Sequence, residues 1–322
     1  SGHSYFGHDD WARFAPALKT IEDATEIRRR ILLAFEAAER ETDPAKEKAW
    51  LTFVIVGAGA TGVELAGALS EIANDTLRHD FRRIDPSQAR IMLVEASDRV
   101  LPPYPPDLSD RAAEALRRLK VTIRTGATVV GVSEVSVTLK AASGTETIPA
   151  RTVLWAAGVQ ASGLGKVLAA ATGAEMDRSG RLMVGPDLAL PGHPEILVVG
   201  DLANFAHQSG RPLPGVAQVA LQQGKYAAQV IEARLQGRTL APFRYHDKGN
   251  MATIGRAAAV VELPWLHFSG YPAWLAWLFI HLLYIVEFQN RMLVAVQWAW
   301  NYFSFNRSAR LITGESPFPL DL

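Results

Sequence analysis

An α/β architecture ending in a helical, aromatic C-terminal region is what the sequence predicts, and three observations carry it. A short apolar run (LTFVIV) is followed at once by GAGATG, then by a helix-forming stretch (VELAGALSEIA), then by a second apolar run (RIMLVEA). Strand, glycine loop, helix and strand in that order make a βαβ unit of Rossmann type, whose strands lie parallel. The chain has 322 residues, room for about two domains. Five of its eight tryptophans crowd into residues 264–303, so the C-terminal part differs in kind from the rest.

Composition closes several classes. Lys plus Arg and Asp plus Glu both total 33, leaving no net positive field to hold a nucleic-acid backbone. There is no cysteine, which removes disulfide scaffolds, thiolate metal sites, iron–sulfur clusters and dithiol redox chemistry. Electron transfer would therefore need a bound cofactor. The eight histidines show no ligand spacing such as HExxH, so no metal site is predicted. Without a GxSxG elbow, a serine hydrolase has no support.

The N-terminal residues (SGHSYFGHDDW) carry neither a secretory nor a transit signal, and no initiating methionine. With Tyr5, Phe6 and Trp11 in a stretch that has no strand or helix of its own, they read as an interior loop, and a missing N-terminal piece is expected. Residues 17–41 form an amphipathic helix: Ile21, Ala24, Ile27, Ile31, Phe35 and Ala38 recur at helical spacing, and Thr42, Asp43 and Pro44 stop it. After the helix of the βαβ unit, a polar insert, residues 74–88, delays the second strand. Residues 100–157 supply a proline-rich turn (LPPYPP), a helix with Leu116 and Leu119, and strand-like runs (VTIRTG, ATVVGV, VSVTLKA, TIPARTVLWAAG) separated by Gly and Ser. Residues 163–242 contain a buried-type strand (EILVVGD) and a helix rich in Ala and Gln (VAQVALQQGKYAAQVIEARL).

Residues 271–286 are apolar except for His281, but 16 residues fall short of the roughly 20 that span a bilayer. Glu287, Gln289, Asn290 and Arg291 interrupt the pattern, so two short helices joined by a polar turn are expected. Apolar side chains lie on nearly every face of the first, Trp and Tyr are concentrated there, and Arg291, Arg307 and Arg310 are available for anionic head groups. That combination reads as an interfacial membrane anchor; a core hairpin or a dimer face is the alternative.

Gly57, Gly59 and Gly62, with Ala58 between the first two, give the GxGxxG dinucleotide fingerprint directly after a strand and before a helix. Its glycines permit a tight turn, a close approach of backbone to pyrophosphate, and a close helix–strand contact, and the helix N-terminus faces the phosphates. Glu95 ends the second strand, where a carboxylate receives ribose hydroxyls and repels a 2′-phosphate. This favours NADH over NADPH, although Arg99 is close enough to soften the preference. Glu64, just inside the helix, is either a dipole partner or a carboxylate at a reacting centre. Gly200 and Asp201 end a strand and suit sugar-alcohol hydroxyls. Gln218 and Gln222 stand four apart on one helix face; taken alone they read as satisfied core amides, the alternative being donors to a carbonyl ligand.

In sequence order, GAGATGVELAGAL, LVEASDRVLP, TVLWAAGV, VVGDLA, PGVAQVALQQG and KGNMATIG, followed by the aromatic helices, resemble the type II NADH:quinone oxidoreductases. These are non-pumping respiratory enzymes of the two-dinucleotide-binding-domain flavoprotein superfamily. The resemblance implies a Rossmann-type NADH domain inserted in a partial FAD-binding Rossmann-type domain, plus C-terminal membrane-associated helices. Residues 1–49 would be a connecting segment and helix of the FAD domain, 50–158 the NADH domain, 159–245 the rest of the FAD domain, and 246–322 the anchoring and quinone-site region.

The same resemblance implies that Gly57, Ala58, Gly59, Gly62 and Glu95 bind NADH, with Ala157 and Gly158 beside the nicotinamide. Glu64 would stand where nicotinamide and quinone meet, as a proton route. Gly200 and Asp201 would take the ribityl chain of FAD, Ala217, Gln218 and Val219 the isoalloxazine, Gln218 and Gln222 the quinone head group, and Lys248 the flavin end of the site. The implied partners are NADH, a membrane quinone, the lipid bilayer surface and a second copy in a homodimer, at the cytoplasmic face of a bacterial inner membrane. The family's first strand and glycine loop, which hold the FAD pyrophosphate, have no counterpart here, so a truncated chain is expected. A flavoprotein reductase with a soluble acceptor, and a truncated NADH-binding membrane module without turnover, are the alternatives.

Overall fold

Aliphatic and β-branched runs become strands where the sequence places them: β1 (Thr52–Val56), β2 (Arg90–Val94), β3 (Thr122–Arg124) and, after an antiparallel meander of β4 (Ala127–Val132), β5 (Ser136–Ala141) and β6 (Gly144–Pro149), β7 (Thr152–Trp155). β1, β2, β3 and β7 form one parallel sheet in the order β3-β2-β1-β7. Every residue of β1 is buried, as a central strand covered on both faces requires. The structure is a computed structural model and describes residues 1–304 and 312. Its contacts divide the chain into two units: Gly7–Ala157 with the residues from Gly249 onward, and Ser1–Phe6 with Gly158–Lys248.

In the first unit, α1 (Ile21–Arg40) starts later than its periodicity suggests, because Thr20 caps it. The Thr20 hydroxyl accepts the Asp23 N–H at 3.1 Å and the Asp23 carboxylate accepts the Thr20 N–H at 2.9 Å, a capping box. Ala17 instead adds a parallel bridge to Trp155. Ile27, Ile31, Phe35 and Ala38 of α1 share one core with Phe53, Ile55, Ile91 and Leu93, so the helix that the resemblance gives to the FAD domain packs on the fingerprint sheet. The far end of α1 is closed by the polar insert. The Arg83 guanidinium donates to the carbonyls of Ala38, Glu39 and Glu41, while the Glu39 carboxylate accepts the backbone N–H groups of Arg82, Arg83 and Ile84. After α2 (Pro44–Trp50), the fingerprint helix α3 (Ala60–Glu71) and α4 (Pro106–Arg118) complete this half.

The second unit holds α5 (Leu164–Thr172), α6 (Ala217–Leu235) and short strand pairs. Gly2–His3 pairs with Val159–Gln160, giving the N-terminal segment a strand where none was expected. The buried strand expected over residues 195–201 runs instead over His193–Leu197, pairs with Ala189–Leu190, and leaves Pro194 and Glu195 exposed. Leu182, Leu190, Phe205, Val219 and Phe243 form the core of this unit.

The chain then returns to the first unit as the antiparallel sheet β8 (Asn250–Gly255), β9 (Ala258–Leu263) and β10 (Leu266–Gly270), followed by α7 (Tyr271–Tyr284) and α8 (Phe288–Ser304). A Cβ on Gly67 of α3 would overlap the Ile254 carbonyl, so helix and β8 approach more closely than any side chain allows. The expected pair of short helices is present. Among the described residues no helix is long and apolar enough to cross a membrane.

Candidate functional site

The start of α3 is shaped by what its glycines lack. Gly57 has φ +97°, and a Cβ there would lie 2.7 Å from the Ala157 backbone; a Cβ on Gly62 would overlap the Gly57 carbonyl oxygen. Packing demands both. Gly59 is different: its φ of −68° suits any residue, and an added Cβ would meet nothing within 4 Å. Neither strain nor packing asks for glycine there, whereas a ligand resting on the backbone does. No side chain caps α3, which leaves its first N–H groups to an anion.

The loop is held rigid by Glu95. Its Oε2 accepts the Ala58 N–H at 2.7 Å, its Oε1 accepts the Ser97 N–H and hydroxyl at 2.9 and 2.8 Å, and the Ala58 carbonyl accepts the Leu101 N–H at 2.8 Å. Arg99, expected to soften the cofactor preference, instead turns into its own loop, where Nη2 donates to the Pro102 carbonyl at 3.0 Å. Ala157 backs Gly57 in this unit, while Gly158, with φ +73°, packs against Ser4 in the other.

Glu64 lies one turn into α3 and is half-buried. Burial pushes its carboxyl above the ordinary range, and two hydrogen bonds from Thr253, one from the backbone N–H and one from the hydroxyl, only partly offset this. The Tyr104 phenol is raised as well, by burial first and then by the charges of Glu64 and Glu262. Thr253 and Tyr104 were not singled out from sequence. The one local signal is the row Glu64, Gly67, Glu71, which puts two acids and a small residue on one helix face.

In the other unit, Gly200 has φ +68°, and its N–H donates at 2.6 Å to Oε1 of Gln223, a side chain only 1% exposed. A Cβ on Gly215 would stand 3.2 Å from Oδ1 of Asp201, so that carboxylate rests just ahead of α6, whose first turn no side chain caps. Ala217 is exposed and Gln218 half-buried, but Val219 points into the core and is not presented to a ligand as expected. Gln222 is a clamp: Oε1 accepts the His246 N–H at 3.0 Å and Nε2 donates to the His246 carbonyl at 2.9 Å. Gln208 holds Tyr245 in the same manner, at 2.8 and 3.0 Å. Lys248 follows this segment, exposed. Gln223 was missed because the sequence offers it beside Gln222 with nothing but helical phase to separate them.

At the C-terminal helices, Arg291 is half-buried and its Nε donates to the Ile285 carbonyl at 2.7 Å, just past the end of α7. Arg307 and Arg310 lie outside the described residues. His281 satisfies itself, Nδ1 donating to the Trp277 carbonyl at 2.8 Å. Phe279, Phe288, Trp300 and Phe303 are all more than half exposed.

The pyridine nucleotide-disulphide oxidoreductase family profile matches residues 14–224, and that of the NDH2 C-terminal domain matches residues 247–307. The chain is 45% identical to the type II NADH:quinone oxidoreductase Ndh of Mycobacterium tuberculosis, over 99% of this chain and 68% of that protein. It is also 45% identical to NdhA of the same organism, over 97% and 67%. Its fold matches that of NDH2 from Plasmodium falciparum, solved in complex with NADH, with a TM-score of 0.85 at 18% identity, covering 95% of this chain and 76% of that one.

Proposed function

The chain belongs to the pyridine nucleotide-disulphide oxidoreductase family and, within it, to the type II NADH:quinone oxidoreductases; from that premise we propose how its own residues divide the work. The enzyme moves electrons from NADH through FAD to a quinone. The observation that carries the nucleotide site is Gly59, a glycine that only an approaching ligand explains. NADH is held with its pyrophosphate at the uncapped start of α3, on a loop that Glu95 keeps rigid, and the Glu95 carboxylate disfavours a 2′-phosphate.

The second unit fits a flavin. The Asp201 carboxylate accepts hydroxyl hydrogens, and the uncapped N–H groups of α6 beside Gly215 suit ring carbonyls. FAD, when bound, supplies the two-electron chemistry that this cysteine-free chain lacks. Gly200 is fixed for that purpose by Gln223, Gln218 is the amide assigned to a ligand carbonyl, and Gln222 holds His246 and the stretch leading to Lys248.

Quinone reduction consumes two protons. Glu64 retains a proton to higher pH than a solvated glutamate, and Thr253 fixes the direction it faces, which suits it to deliver that proton. We place α7 and α8 on a lipid surface, since their aromatic and aliphatic side chains are exposed and, among the described residues, no helix is long and apolar enough to span a bilayer. Peripheral binding at the cytoplasmic face, where NADH is available, agrees with this.

The test is the visible spectrum of the chain in mild detergent after incubation with FAD. We expect a flavin spectrum that NADH bleaches and a short-chain quinone restores. Recovery only with a water-soluble protein or inorganic acceptor would overturn the quinone reading, and a bound flavin that NADH leaves oxidised would overturn the nucleotide site.

A further inference from the structure

A seam runs along the face of α3 that carries Glu64. Glu64 accepts two hydrogen bonds from Thr253, Gly67 admits the Ile254 carbonyl, and Glu71 accepts the backbone N–H of Arg256. The next contact is also close: a Cβ on Gly255 would lie 2.9 Å from Oε1 of Glu71. β8 is therefore fastened to α3 turn by turn, and Arg256 is the last fastening.

The side chain of Arg256 reaches the other way. Its guanidinium donates to the Tyr302 carbonyl near the end of α8 and lies 4.2 Å from the centre of the Tyr302 ring. Tyr302 packs against Trp274 of α7 at 5.2 Å, and Trp274 stacks on Tyr271 at 5.9 Å. A guanidinium in this position gives the Tyr302 carbonyl a charged donor and covers an aromatic face. One residue thus grips α3 through its backbone and the aromatic helix pair through its side chain.

We propose that Arg256 is a positioning residue that ties the aromatic helix pair to the helix bearing Glu64, and so sets where a quinone arriving along α7 and α8 meets that carboxyl. The role rests on the reading that quinone approaches by these helices. Glu71 is its anchor, and neither residue touches the reacting atoms.

The test uses the FAD-loaded enzyme in liposomes with Arg256→Met, which keeps the length and removes the charge and donors, and with Arg256→Lys, which keeps the charge but not the planar fork. With a long-chain quinone, Arg256→Met should lose about tenfold in kcat/KM, mostly through KM, because small displacements from a reactive geometry are costly. NADH oxidation with ferricyanide should change by less than about twofold, since that acceptor does not travel along the helices. Arg256→Lys should recover part of the loss, and Tyr302→Phe, which keeps both the ring and the carbonyl, should be silent.

Hydrogen exchange supplies a readout that needs no quinone: in Arg256→Met the amides of residues 298–304 and 64–71 should exchange faster together. Equal losses with both acceptors, no loss with quinone, or loosening of α8 without α3 would each overturn the proposal. Should the unmodified enzyme fail to reduce the membrane quinone, the quinone reading falls, and the exchange result still decides the coupling.

Discussion

The starts of α3 and α6 are both uncapped helix ends beside a strand-end loop, yet they are built by opposite means. At α3 the shape comes from removal: Gly57 and Gly62 approach backbone so closely that a methyl group has nowhere to go, and Glu95 pins Ala58. At α6 it comes from addition: the buried Gln223 amide reaches out to hold the Gly200 N–H, and Asp201 rests against Gly215. A Cβ on Gly200 would stand 3.2 Å from that of Ala220, so what asks for glycine there is its φ of +68° more than the space. At Gly57 and Gly62 an added methyl group meets backbone that cannot give, whereas at α6 the neighbours are side-chain atoms.

The largest effect should come from the α3 side. Gly62→Ala forces the helix off the Gly57 carbonyl and should cost about 3 kcal/mol or more of stability, read as a fall in Tm, with NADH binding lost as well. Gly59→Ala has no clash and a compatible backbone, so stability should stay within about 0.5 kcal/mol while NADH affinity falls about tenfold or more. Equal destabilisation by the two would erase the distinction between a packing glycine and a ligand glycine.

Glu64→Gln comes next, with quinone turnover about a hundredfold slower and NADH affinity little changed. Its stability has a sign that can be checked. A carboxyl whose folded pKa is raised above the usual 4.5 by burial adds no cost below that value, and destabilises increasingly as the pH climbs through the folded pKa. The glutamine variant lacks this slope, so its stability relative to the unmodified protein should rise with pH from about 4.5 upward. A difference that stays constant with pH would mean that Glu64 titrates as it does in the unfolded chain.

On the α6 side the effects are smaller. Gln223→Leu strips the Gly200 N–H of its acceptor and should cost about 1–3 kcal/mol, followed by denaturant unfolding, with a matching loss in FAD titrations. Gln222→Ala removes a half-exposed clamp and should cost about 1 kcal/mol or less, visible chiefly as faster exchange at His246. If instead the KM for quinone rises while exchange at His246 is unchanged, Gln222 contacts the quinone directly and its clamp is incidental.

The contrast also explains what the sequence disclosed. At α3 the strand, loop and helix are contiguous, so the three glycines could be placed on a strand–helix turn and Glu95 at the end of the second strand, but not the bonds of Glu95 to Ala58 and Ser97. The α6 cradle is drawn from Gly200, Gly215 and Gln223, and which of two adjacent glutamines faces inward depends on helical phase against a core the sequence does not display. The bond from Arg291 to the Ile285 carbonyl lay out of reach because the sequence does not show that α8 begins at Phe288, inside the polar run. The polar insert was evident from composition, but its partner Glu39 on α1 was not. The pairing of Thr253 with Glu64 lay beyond reach because it closes across an entire intervening unit of chain.

That long closure has a consequence in time. As the chain leaves the ribosome, α3 emerges with the face of Glu64, Gly67 and Glu71 bare, and Thr253, Ile254 and Arg256 follow only after residues 158–248 have been made. At about 5–20 residues per second the interval is roughly 10–40 s. The parallel sheet can assemble at once from residues 52–155 and bury Val63, Ala66 and Leu69 of α3, whereas the face that bears Glu64 waits in water for its strap. A nascent chain arrested before residue 250 would therefore keep α3 on the sheet but let its amides exchange faster than in the finished chain, and synthesis of β8 would slow them.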